Sequence, residues 1–140
     1  VLSRRGDCGV QALLFITLCR ICGIGAEWES GMALAPGHVG SHDWARYYVA
    51  PFGWLYADLS RGGCAAQYGG DSALHDFYAR CTGPERIVTA RAFQRPFDPP
   101  RLHLRADPFD NQLGELEYAS GGVAASDCVI RRELLASAVL

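Results

Sequence analysis

The sequence predicts an α+β domain in which one buried helix packs against an antiparallel β-sheet. Two observations favour this class. An almost wholly apolar run of helical spacing follows Cys8, and aromatic segments of the kind found in strands come after it, separated by turn residues. With 140 residues, 49% of them apolar, the chain is long enough to bury a core. We expect residues 1–140 to form a single domain.

The first element is a helix that begins at Cys8. Apolar residues occur on almost every side of the run "CGVQALLFITLCRICGI", which indicates a central, buried helix. Asp7 precedes the run as an N-cap residue would, and Gly23 is placed to end it. The apolar stretch contains Arg20 and is too short to span a bilayer.

Three strands are predicted after the helix. The segment "IGAEWESGMAL" alternates in part, while "HDWARYYVA" and "GWLYADLS" are rich in aromatic residues. A turn at Pro51-Phe52-Gly53 makes the last two strands an antiparallel hairpin. Beyond the hairpin we expect a loose Gly-rich segment in "SRGGCAAQYGGDS", a short helix from Ala73 to Arg80, an irregular ordered stretch from Pro96 to Pro108 and a final strand in "LGELEYAS".

Charge and cysteine content limit the partners and the compartment. A net charge of -2 without a basic block gives no electrostatic case for nucleic acid or for an anionic membrane. Six cysteines in a chain this long and apolar favour reduced thiols, and therefore a cytoplasmic setting, over a disulfide framework. The sequence begins with Val1 rather than Met, so we expect a fragment or a trimmed domain. Secretion behind a lost leader stays an open alternative.

Cys8, His42 and Asp58 form the constellation best suited to chemistry. A helix N-terminus stabilises a thiolate, so we expect a lowered pKa for Cys8, opposed by the negative charge of Asp7. His42 opens the first hairpin strand and Asp58 ends the second, and a three-residue loop would give them a common face. We expect the Cys8 sulfur about 3 to 5 Å from one His42 ring nitrogen and Asp58 at the other. This pattern is typical of an activated nucleophile.

These motifs together resemble the transglutaminase-like superfamily of papain-like cysteine enzymes. The resemblance covers Arg4 to about Ser60 and depends on "GDCG", the helix ending in "LCRICGI", "HDW" and "GWLYADLS", in that order. It implies a papain-like core in which Cys8 is the nucleophile, His42 the general base and Asp58 the residue that orients the base. Family members normally carry helices ahead of the cysteine helix, so we expect the N-terminal part of the domain to be lacking.

The later segments "PERIVTARAFQRPFDPP" and "RADPFDNQLGELEY" are similar to the C-terminal part of bacterial transglutaminase-like domains. We interpret both as segments that complete the sheet and not as catalytic.

The resemblance implies cysteine-dependent acyl chemistry on a peptide or glutamine amide, with a peptide or protein as substrate and with no metal or organic cofactor. Hydrolysis is the favoured reaction, with acyl transfer as a variant. The backbone N–H of Cys8 can supply one oxyanion donor, and the second donor is unassigned. The rival hypothesis is a non-catalytic binding or scaffold module that keeps the same fold.

Other residues have competing interpretations. His38, in the Gly-rich "GHVG", is a rival base. Cys19 and Cys22 form a CxxC pair, but they lie inside the predicted helix without a second pair to complete a zinc site. Trp44 and Trp54 either shield the site from water or shape an acyl-binding groove, or both pack in the core of the hairpin.

Overall fold

The structure is a computed structural model that describes residues 5–35, 38–64, 70–107, 112 and 114–133. Within these residues, four strands form a sheet in the order β3-β2-β1-β4, and β5 pairs with β6 in a separate two-stranded sheet. This architecture confirms the predicted α+β class. The elements are α1 (Cys8–Ile21), β1 (Ala26–Ala35), β2 (His38–Val49), β3 (Gly53–Ala57), α2 (Leu59–Cys64), α3 (Ser72–Arg80), β4 (Arg86–Ala90), β5 (Glu117–Tyr118), β6 (Gly121–Gly122) and a 3₁₀ turn (Ala125–Asp127).

Helix α1 begins and ends where the sequence predicts. Asp7 is the N-cap residue, and its Oδ1 accepts a hydrogen bond from the Val10 N–H at 2.9 Å. At the other end Gly23 adopts a φ of 75°, a conformation that favours glycine. The N–H of Ile24 then donates to the Cys19 carbonyl at 2.8 Å, which completes a Schellman motif. Local sequence signals therefore set both ends of the helix.

A smaller part of the surface of α1 is buried than the sequence predicts. Ala12, Ile16 and Cys19 form one buried stripe, which packs in a core with Ala26, Trp28 and Ala45. The other side of the helix is exposed in the described structure, so the expectation of burial all round is wrong. The exposed apolar side chains, between 47% and 76% accessible, are Val10, Leu14, Leu18 and Ile21.

The β2–β3 hairpin confirms the predicted antiparallel pair. Val49 pairs with Gly53, so the loop consists of the three residues 50–52. Continued to the open end of the hairpin, the same register makes His42 and Asp58 diagonal neighbours. Diagonal neighbours have side chains on the same face of the sheet. The three-residue loop therefore places the side chains of His42 and Asp58 on the same face of the sheet.

The Gly-rich segment after the hairpin is partly helical, whereas the sequence predicts a loose segment. The Asp58 Oδ1 accepts hydrogen bonds from the Ser60 hydroxyl at 3.0 Å and from the Arg61 N–H at 3.1 Å. These are the bonds of an N-cap residue, and they start α2 directly after β3. Residues 65–69, in the same segment, lie outside the described part of the chain.

The chain divides into two compact units, and the first comprises Val1–Glu29 and His42–Pro84. Within it, the N–H of Asp58 donates to the Tyr78 carbonyl of α3 at 2.8 Å. Helix α3 begins at an N-cap aspartate, as α1 does, and confirms the short helix predicted near this position. The predicted catalytic residues all lie in this unit.

The second unit comprises Ser30–Ser41 and Glu85–Leu140. It contains the antiparallel pairing of β1 with β4, where the register shifts at Gly31. A Cβ at Gly31 would lie 1.9 Å from the carbonyl oxygen of Ile87, so only glycine allows this approach of the two backbones. Strand β4 confirms the predicted sheet completion for its segment.

The segment "LGELEYAS" does not complete the main sheet, contrary to expectation, since β5 pairs with β6. Its glutamates instead bind backbone. Glu117 accepts hydrogen bonds from the N–H groups of Leu102 and His103, and the first of these helps to hold the pKa of Glu117 below its usual value. Leu113 of this segment and Pro108 of the irregular stretch lie outside the described residues. Across the ranges that the structure describes, no helix has the length and apolarity to cross a bilayer.

Candidate active site

The shortest polar contact among the predicted catalytic residues joins His42 to Asp58. His42 Nε2 lies 2.7 Å from Asp58 Oδ2, and the Asp58 side chain is fully buried while that of His42 is 12% exposed. The other carboxylate oxygen is held by the start of α2, as described above. A fixed carboxylate at Nε2 orients the ring and favours the tautomer with its proton on Nε2. The predicted contact between Asp58 and one ring nitrogen is present.

Cys8 is the first residue of α1 and is half-buried. Its thiol donates to the Asp43 carboxylate, with 3.5 Å between Sγ and Oδ2. Within the described residues, the hydrogen-bond partner of the thiol is therefore Asp43 and not His42. The direct approach of Cys8 to His42 stays a prediction.

The two contacts lie on opposite faces of strand β2, because side chains alternate along a strand. His42 shares its face with Trp44, and their ring centroids are 6.1 Å apart. Asp43 shares the other face with Ala45, which belongs to the core that packs against α1. The Cys8 thiol therefore contacts β2 on the face opposite to the His42 side chain. It makes this contact with Asp43, the residue that follows His42 in the chain.

Burial and negative charge raise the pKa of the Cys8 thiol from 9.0 to about 11. Desolvation is the largest cause, the charge of the Asp43 carboxylate is the next, and Asp7 adds a smaller effect in the same direction. The backbone N–H of Asp43 lowers the pKa and offsets part of the rise. The expectation of a lowered pKa is wrong for this arrangement, because burial and two carboxylates outweigh the helix N-terminus. The opposing effect predicted for Asp7 is confirmed.

Asp43 is the functional candidate that the sequence analysis missed. Its side chain is 6% exposed, and its Oδ2 contacts the sulfur of the proposed nucleophile. A signal was available: if His42 faces Asp58, strand alternation turns the next residue towards the helix that carries Cys8. Charged residues are rarely buried, so an aspartate predicted to face a packed helix is a candidate for a functional role.

The two tryptophans of the hairpin have different surroundings. Trp44 is buried, and its Nε1 donates to the buried Glu29 carboxylate at 2.8 Å. Trp54 is 40% exposed and carries the Arg46 guanidinium over its ring, 4.7 Å from the centroid. Packing in the core is therefore confirmed for Trp44, whereas Trp54 packs edge-on against Tyr48 across the hairpin and is too exposed to belong to the core.

Of the rival residues, Cys19 and Cys22 build no second site in the described structure. The side chain of His38 lies outside the described residues. Cys19 is buried and Cys22 is exposed at the C-cap of α1. All six cysteines are free thiols. In the described ranges, no group of three or more His, Cys, Asp or Glu side chains has an arrangement that could hold a metal ion.

Comparison with protein families gives one finding. Residues 1–59 match the family model described as the transglutaminase-like superfamily. The match supports a transglutaminase-like domain in this part of the chain. The matched segment contains α1, β1, β2, β3 and all three predicted catalytic residues. Comparisons with curated proteins and with solved structures gave no significant match. The match supports a papain-like cysteine enzyme family in general.

Proposed function

We propose that the chain performs cysteine-dependent acyl chemistry on a peptide or glutamine amide, with Cys8 as nucleophile, His42 as general base and Asp58 as the residue that orients the base. The observation that carries the proposal is the 2.7 Å contact between His42 Nε2 and the buried Asp58 carboxylate. A carboxylate in this position fixes the imidazole and stabilises its protonated form, which a thiol nucleophile requires of its base. The transglutaminase-like match supports the same chemistry.

The reaction begins when the Cys8 thiol leaves Asp43 and passes its proton to His42. Because Asp58 engages Nε2, Nδ1 is the ring nitrogen that receives the proton. Because Asp43 and His42 project from opposite faces of β2, the proposed transfer requires the thiol to leave Asp43 and move around the strand to the His42 ring. The sulfur then attacks the carbonyl carbon of the amide, and His42 returns the proton to the leaving amine as the C–N bond breaks.

The thioester that results is resolved by water in the proposed reaction. His42 removes a proton from the water, whose oxygen attacks the thioester carbon and releases the acid and the Cys8 thiol. The N–H of Cys8 belongs to the first turn of α1, where backbone donors have no partner within the helix, so it is suited to bind the oxyanion. Hydrolysis is proposed over transfer because water needs no second binding site next to a half-buried sulfur.

The experiment is the detection of a thioester on Cys8. Wild-type protein is mixed with p-nitrophenyl acetate as a general acyl donor, quenched with acid and mapped by peptide mass spectrometry. We expect rapid acetylation of Cys8, and loss of the rapid phase of p-nitrophenolate release in Cys8→Ala. The exposed thiols of Cys22, Cys64 and Cys81 report unassisted acylation in the same sample. Acetyl groups spread over these thiols without preference for Cys8 would contradict the proposal.

A non-catalytic scaffold is the second candidate, and one observation favours it. The Cys8 thiol is bound to a carboxylate and has a pKa raised to about 11, so little thiolate is present at neutral pH. A scaffold predicts that Cys8→Ala leaves the release of p-nitrophenolate unchanged.

A further inference from the structure

Asp43 is a buried carboxylate in contact with the proposed nucleophile, and in the proposed reaction it makes or breaks no covalent bond and transfers no proton. Its Oδ2 lies 3.5 Å from the Cys8 sulfur, and its side chain is 6% exposed. Buried carboxylates are uncommon in proteins, so the contact of this one with the thiol is a candidate for a functional role.

The start of α1 leaves room for this carboxylate. Gly9 follows Cys8, and a Cβ at Gly9 would lie 3.1 Å from Asp43 Oδ2 and 3.1 Å from Trp28 Cη2. Both distances are tighter than ordinary contacts of a Cβ atom. The helix therefore presents a residue without a side chain where the carboxylate and the indole approach it.

Among the residues that the structure describes, Asp43 and Asp7 are the charged groups that act on the Cys8 thiol. Asp43 belongs to β2, against which α1 packs, and Asp7 caps α1 from the preceding residue. Asp43 favours the protonated thiol twice, by its negative charge and by accepting the S–H hydrogen bond, while its backbone N–H favours the thiolate. Asp7 acts by charge alone and more weakly.

We infer that Asp43 is a positioning residue that holds the Cys8 thiol protonated in a resting position, from which it must depart before it can transfer its proton to His42. This inference rests on the proposed function, since a resting position has meaning for a thiol that later reacts. The side chain and the backbone of Asp43 then have separate effects: the carboxylate restrains the thiol, and the N–H stabilises the thiolate once it forms.

The experiment measures the rate of Cys8 alkylation by iodoacetamide against pH, with peptide mass spectrometry to identify the site. Alkylation consumes the thiolate, so the curve reports the pKa of the thiol without any acyl donor. Asp43→Asn removes the charge and keeps the shape and the backbone N–H. We expect a shift of the curve to lower pH, with alkylation at pH 8 faster by about tenfold, which corresponds to one pKa unit.

Matched carboxylates supply the controls. Asp7→Asn should shift the curve in the same direction but by less, because Asp7 is the weaker of the two charges. Asp76→Asn, in the exposed pair with His75, should leave the curve unchanged. An Asp43→Asn curve that coincides with that of the wild type, or a larger shift in Asp7→Asn, would overturn the inference.

The wild-type curve keeps the inference testable if Asp43→Asn does not fold. In the native chain the alkylation midpoint of Cys8 should lie near the pKa of about 11, and it should fall towards an ordinary thiol value in the urea-unfolded chain. A native midpoint at or below the unfolded one would overturn the inference. If Asp43→Asn shifts the alkylation curve but no thioester forms on Cys8, the proposed function is rejected and the effect of Asp43 on the thiol stands. If a thioester forms but the curve does not shift, the proposed function stands and the inference about Asp43 is rejected.

Discussion

The two faces of strand β2 carry carboxylate contacts with opposite chemical effects. On one face the Asp58 carboxylate binds the imidazole of His42 at 2.7 Å, and on the other the Asp43 carboxylate accepts a hydrogen bond from the thiol of Cys8 at 3.5 Å. A negative charge favours a group that becomes a cation and opposes one that becomes an anion. The same residue type therefore prepares the base on one face and restrains the nucleophile on the other.

The largest expected effect comes from removing the charge that prepares the base. Asp58→Asn should slow acylation of Cys8 by on the order of 10²- to 10⁴-fold, because an amide neither fixes the tautomer of His42 nor stabilises its charged form. The fold should survive, since an asparagine oxygen can still cap α2. The measurement is the rate of p-nitrophenolate release under single-turnover conditions.

A matched control separates the charge of Asp58 from its capping role. Asp71 is the N-cap of α3 and accepts a hydrogen bond from the Leu74 N–H at 3.0 Å. Asp71→Asn should leave acylation unchanged. If Asp58→Asn retained the wild-type rate, Asp58 would have no place in the mechanism, and the contrast between the two faces would be lost.

A smaller effect, on stability, is expected from Trp44, which donates a hydrogen bond to the buried Glu29 carboxylate. Trp44→Phe removes the indole N–H that donates to Glu29, which is fully buried. We expect the free energy of unfolding to fall by about 1 to 3 kcal/mol, measured by urea denaturation. Trp54→Phe, on the same face of the hairpin but 40% exposed, should cost less than about 1 kcal/mol. Equal losses in the two variants would show that Glu29 does not depend on Trp44.

Local patterns in the sequence predict much of the matched segment. Asp7 and Gly23 mark the ends of α1 because capping depends on neighbouring residues alone. The hairpin and the contact of His42 with Asp58 follow from loop length and strand alternation. These features depend on short stretches of chain whose geometry is nearly fixed.

Features that depend on packing between distant segments were predicted less well. The exposed side of α1, with Leu14 and Ile21, has the same apolar composition as its buried stripe, so composition does not reveal which side meets the sheet. The rise in the pKa of Cys8 depends on burial and on Asp43, 35 residues away in the chain. A helix-terminus argument on the local sequence includes neither effect and therefore gave the wrong direction.

The central claim is that Cys8 reacts with the help of His42, and that Asp58 acts through His42. The most direct test is a double-mutant cycle on the single-turnover acylation of Cys8 by p-nitrophenyl acetate, with His42→Ala, Asp58→Asn and the combined variant. We predict that His42→Ala slows acylation by on the order of 10²- to 10⁴-fold, and that adding Asp58→Asn causes no further loss. A His42→Ala variant that acylates at the wild-type rate, or losses that multiply in the combined variant, would contradict the claim.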